Sequence, residues 1–124
     1  MELIKISNLG HTWFIDIDGT ILEHNGHKKS GDKLLPGVHE FWSSIPKEDV
    51  IVLVSARSKE EAITTIDFLK KNGIHHHYFI HNLPTGERIL INDKKPSNLK
   101  TAIALNLERN SGLSNIKIAI DNYL

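Results

Sequence analysis

Apolar residues fall in short blocks separated by polar, glycine-containing stretches, and the spacing inside each block predicts its conformation. Residues 3–6 (Leu-Ile-Lys-Ile) and 13–17 (Trp-Phe-Ile-Asp-Ile), divided by Asn8 and Gly10, predict two short strands joined by a turn. The second is the more apolar and is expected at the centre of a sheet. Residues 50–54 (Val-Ile-Val-Leu-Val) form an uninterrupted apolar run, as a parallel strand covered on both faces requires. A short helix is predicted over 38–44. A longer one begins at Ser58, where Glu61 three positions on completes a capping box; Ala62, Ile66 and Leu69 share its apolar face, and Gly73 ends it. Residues 78–80 and 88–91 predict two further strands. The pattern over 99–107 fits a strand (Ile103, Leu105, Leu107) and a helix (Leu99, Ile103, Leu107) equally, and Ile116, Ile118 and Ile120 alternate as a last strand. Strands alternating with helices predict an α/β fold: a Rossmann-like three-layer domain with a mostly parallel sheet and no large cap.

Size and charge narrow this further. The 124 residues contain no repeat or linker, so one domain over 1–124 is expected, with an exposed flap at about 21–37 where glycine, proline and charge concentrate. Fifteen basic residues balance fifteen acidic ones, which supplies no basic track for a long nucleic acid and no field toward an anionic membrane. Any anionic ligand has to be bound locally. The absence of cysteine excludes a disulfide scaffold, a thiolate zinc site and a cysteine nucleophile. No signal-peptide core opens the chain and its longest apolar run cannot cross a bilayer, so a cytoplasmic protein is expected.

Ligands of parallel sheets bind beyond the carboxyl ends of the strands. Three such ends are polar here: Asp16-Ile17-Asp18-Gly19-Thr20, Ser55-Ala56-Arg57 and Asn92-Asp93-Lys94-Lys95. Brought together, they would form a metal and phosphate site. Asp16, at the first strand end, is a carboxylate able to attack phosphorus without prior deprotonation and to ligate a hard cation. Asp18, two residues on, is expected on the same side as general acid and base with a raised pKa. Gly19 permits the turn away from the strand and Thr20 can hold that turn through its hydroxyl. Ser58 already caps the helix, which leaves Ser55 to donate to phosphoryl oxygens, while Arg57 in the same turn can clamp a substrate phosphate or carboxylate or stand solvated. Asp93 is the expected third metal ligand, with Asn92 beside it and Ser97 or Asn98 in support.

The order of these elements, a hydrophobic run into DxDGT, a run ending in serine and a run ending in aspartate, resembles the haloacid dehalogenase superfamily of phosphohydrolases. FIDIDGT is its most specific piece. The resemblance implies Mg2+ bound by Asp16, Asp18 and Asp93, an aspartyl-phosphate intermediate on Asp16, and the backbone carbonyl of Asp18 as a further ligand. It also implies a lysine just before a proline, where this chain has Leu83. Arg88, then Lys94 or Lys95, are the expected replacements, with Arg88 first. The short span between Asp18 and Ser55 resembles capless members, whose open site implies a large covering substrate or a homo-oligomer or partner subunit that supplies the lid, with the strand bearing Ile116, Ile118 and Ile120 as a candidate interface. The segment GERILINDKKPSNLKTAIALN more loosely resembles small phosphatases encoded among surface-polysaccharide and sugar-nucleotide genes. The expected activity is therefore a magnesium-dependent phosphomonoesterase on a small phosphorylated molecule, a phosphosugar or phosphorylated sugar acid first. The alternatives are a phosphatase of nucleotides, nucleic-acid ends or phosphoproteins, or a non-catalytic regulatory module. Of the eight histidines, His24 and His27 in the flap are candidates for substrate contact, whereas His75-His76-His77 reads as a solvated run rather than a zinc site.

Overall fold

A computed structural model describes residues 2–124, which form a small α/β fold with two parallel sheets. β1 (Glu2–Ile6) pairs with β5 (Ile116–Ile120), and β2 (Thr12–Asp16), β3 (Val50–Val54) and β4 (Tyr78–Ile80) follow in the order β2-β3-β4. Two helices connect the second sheet: α1 (Val38–Ser44) between β2 and β3, and α2 (Lys59–Lys71) between β3 and β4. One hydrophobic core spans both sheets, joining Ile4 and Ile116 of the first to Ile15, Ile51 and Leu53 of the second through Trp42 and Leu69 of the helices. Among the described residues no helix is long and apolar enough to cross a membrane.

The strand at the centre is β3. Its run of branched side chains is covered on both faces, with Ile51 and Leu53 fully buried. The second apolar block was expected there, but β2 lies at the sheet edge with Phe14 more than half exposed. The reason is that β1 pairs with β5, so no strand covers the outer edge of β2, and the two strands flanking Asn8 and Gly10 belong to different sheets. Buried Asp49 ties the start of β2 to that of β3: its carboxylate accepts the His11 N–H (3.0 Å) and the Trp13 indole N–H (2.9 Å) and lies 2.8 Å from His11 Nδ1.

The capping box of α2 is present, Ser58 Oγ accepting the Glu61 N–H and Glu61 Oε1 accepting the Ser58 N–H. Its covered face is made by Ala62, Thr65 and Leu69, with Ile66 only half-buried. The expected strand over 88–91 does not form: Ile89 and Ile91 are 83% and 88% exposed. β-propensity is context-dependent and yields a strand only where a neighbour supplies a ladder and a covered face, and the edge of β4 finds no such neighbour among the described residues. Neither reading of 99–107 holds; that stretch is irregular, with Leu105 and Leu107 resting on the core. The flap expected over 21–37 is anchored, since Ile21 and Leu22 are fully buried and the Leu35 N–H donates to the Ile21 carbonyl.

Candidate functional site

The parallel alignment of β2, β3 and β4 gathers their carboxyl ends, and a cleft of about 480 Å³ opens there. Asp16, Asp18 and Arg57 line it from the strand ends, His24, His27 and Lys28 from the loop after β2, and Arg88 and Arg109 from the irregular segment after β4.

Asp16 is the last residue of β2 and a third exposed. The Thr20 hydroxyl donates to its Oδ2 at 3.1 Å and Arg88 Nη1 to its Oδ1 at 3.0 Å. Arg88, 72 positions away, is thus the cation that stands on this carboxylate. Gly19 turns the chain away at φ +82°, and a side chain there would crowd Arg109, whose Cγ lies 3.1 Å from the place a Cβ would occupy.

Asp18 and Arg57 differ from their expected roles. Arg57 is buried, and all five of its N–H groups are used: Nε and Nη2 on the two Asp18 oxygens (3.0 and 2.8 Å), Nη1 and Nη2 on Asp32 (3.0 and 2.9 Å), and Nη1 on Thr65 Oγ1 (2.7 Å). No donor remains to clamp a substrate. Burial pushes the Asp18 carboxyl up, but the Arg57 hydrogen bonds and charge, the Asn25 N–H and His27 together hold it below the usual carboxylate range. The raised pKa expected of Asp18 is therefore corrected, because a buried cation has been placed against it. Thr65 faces the core where an apolar side chain would be expected because its hydroxyl completes this knot, accepting from Arg57 and donating to the Glu61 carbonyl.

His27 lies 2.6 Å from Glu61 by its Nε2 and 3.8 Å from Asp18 Oδ1 by its Nδ1. The Ser58 N–H above all, aided by the Ser58 hydroxyl and His27 against the opposing effect of burial, brings the Glu61 carboxyl down to about 2.

Ser55 lies beneath the cleft. It is 1% exposed and its Oγ accepts the Arg57 backbone N–H at 3.0 Å, which braces the turn. Its amide donates to the Ile80 carbonyl. Asp93 and Lys94 are not brought to the cleft. Without a strand over 88–91 to deliver them, they stand exposed with Lys95 in the irregular segment, where the Thr101 hydroxyl donates to the Asp93 carbonyl. The run at 75–77 serves the fold: the Trp42 indole donates to the His75 carbonyl, and His77 Nδ1 accepts the Ile51 N–H.

Glu61, which the capping box accounts for by itself, and Lys28 in the flap line the cleft without a chemical signature of their own in the sequence, and a lone arginine such as Arg109, 89 positions after Thr20, has no spacing to betray it. Among the described residues no three His, Asp or Glu side chains assemble as a ligand set for a metal. Asp16 is the accessible carboxylate of the cleft, and its two oxygens accept from Thr20 and Arg88. The cleft does not form a cage of three carboxylates. Compared with family models, curated proteins and solved structures, the chain has no match.

Proposed function

We propose that this chain is a cytoplasmic phosphomonoesterase with the Rossmann-like architecture of the haloacid dehalogenase superfamily, dependent on Mg2+ and acting on a phosphosugar or phosphorylated sugar acid. The observation that carries the reading is Asp16: an accessible carboxylate at a strand's carboxyl end, oriented by Thr20 and paired with Arg88 in an open cleft that Lys28 and Arg109 also line. The ion, carried by Asp16 and the Asp18 carbonyl, would neutralise phosphoryl charge.

Asp16 Oδ attacks phosphorus in line, the P–O ester bond breaks, and the leaving alkoxide takes a proton from water in the open cleft. Arg88 moves from the carboxylate to the equatorial phosphoryl oxygens as negative charge shifts onto them. The hydroxide left by that protonation attacks the aspartyl phosphate, which releases inorganic phosphate and restores Asp16, while Asp18, kept ionised by Arg57 on both its oxygens, stays as the fixed anion of the turn.

The test is phosphate release from a panel of phosphosugars, sugar-acid phosphates and nucleotides with Mg2+, the wild type against Asp16→Asn. Turnover that disappears in the variant supports the assignment; equal background from both proteins defeats it. The clamp of Arg57 on Asp18 favours a second reading, a non-catalytic module that keeps the fold, and the second outcome would select it.

A further inference from the structure

The carboxylates lining the cleft each have a partner: Asp16 has Arg88, Asp18 has Arg57, and Glu61 has the His27 ring, 2.6 Å away. Lys28 and Arg109 line the same cleft and form no ion pair among the described residues. Unlike a solvated surface arginine, Arg109 is held in place. Its stem lies over Gly19, the adjacent Asn110 N–H donates to the Gly19 carbonyl at 2.8 Å, and the Asn110 side-chain oxygen accepts the His24 N–H at 2.8 Å. This anchors the base of the Arg109 side chain on the turn that follows Asp16 and Asp18, in the cleft that the flap lines with Lys28.

A phosphoryl group engaged at Asp16 uses Arg88, so the two remaining cations exceed what a singly phosphorylated neutral substrate needs. We infer that Arg109 and Lys28 form a subsite for a second anionic group, a carboxylate or a second phosphate, on the molecule whose phosphoryl group meets Asp16. Guanidinium suits either oxyanion by two parallel hydrogen bonds, and the ammonium adds a point charge. The inference rests on the phosphatase reading for its choice of first anion, and it narrows the substrate to one with two anionic groups.

Calorimetric binding to the Asp16→Asn protein tests it, comparing 6-phosphogluconate, fructose 1,6-bisphosphate and glucose 6-phosphate, with and without the added pair Arg109→Gln and Lys28→Gln. Both side chains are exposed, so the fold should tolerate their loss, and circular dichroism checks this. The two doubly anionic ligands should bind roughly ten-fold or more tighter than glucose 6-phosphate, and the added pair should erase that ratio while changing glucose 6-phosphate affinity less than about two-fold. A gain confined to 6-phosphogluconate assigns a carboxylate; a gain confined to the bisphosphate assigns a second phosphate. Equal binding of all three, or a ratio untouched by the pair, overturns the subsite. Phosphate release by the wild type is followed in parallel. Selective binding without any turnover would overturn the phosphatase and leave the subsite standing, whereas turnover without selectivity would do the reverse.

Discussion

Arg57 holds Asp18 by two parallel hydrogen bonds, Nε to Oδ2 at 3.0 Å and Nη2 to Oδ1 at 2.8 Å, across 39 residues of sequence. The same guanidinium grips Asp32 and Thr65, so the turn after β2, the flap and α2 are joined at one buried charge. The turn that follows the candidate nucleophile is tied to the flap and α2 through it.

Removing that charge should unfold the site. Arg57→Met strands two carboxylates that are largely covered, and a loss of about 3–5 kcal/mol is expected in urea unfolding. Arg57→Lys should not restore it, since an ammonium cannot satisfy the fork geometry. A variant within 1 kcal/mol of the wild type would show that the knot contributes little.

Arg88→Ala separates chemistry from stability. The side chain is exposed and its ion pair with Asp16 is weak for the fold, so unfolding should change by less than about 0.5 kcal/mol. Turnover of the best phosphomonoester should fall by about a hundred-fold, the scale for losing one donor to a developing anion. An undiminished rate would assign the neutralising cation elsewhere.

Acid should destabilise the fold through Glu61 and Asp18. Both carboxyls titrate lower in the folded chain, Glu61 at about 2 against an ordinary 4.5, so the unfolded chain takes up protons first as pH falls. Their contribution is complete above the ordinary carboxylate range and is lost progressively as pH falls from 4.5 toward 2. Glu61→Gln should flatten part of that dependence in unfolding curves taken at several pH values. An unchanged slope would deny Glu61 its share.

Gly112 positions the segment that bears Arg109. It adopts φ +77° against the Pro36 backbone, whose carbonyl accepts the Leu113 N–H at 2.8 Å, and a Cβ there would collide with Pro36. Gly112→Ala should cost about 2 kcal/mol or more, from left-handed strain plus displacement of the backbone. Thermal unfolding close to that of the wild type would mean that the contact yields readily.

What the sequence alone determined lies within a few residues of chain. The branched run of β3, the Ser58–Glu61 capping box and the DxDGT turn with Thr20 on Asp16 depend on local spacing and local hydrogen bonds, and each was legible. Tertiary structure decided everything that depends on distant partners. β1 meets β5 from the other end of the chain, Arg57 turns inward because Asp18 and Asp32 converge on it, and Arg88 reaches Asp16 while Asp93 does not. The apolar block at 89–91 has the composition of a strand and stays exposed. A strand exists only through a neighbour's hydrogen bonds and a face to bury, and a buried charge only through its counter-charge, and neither partner is encoded near the residue that needs it.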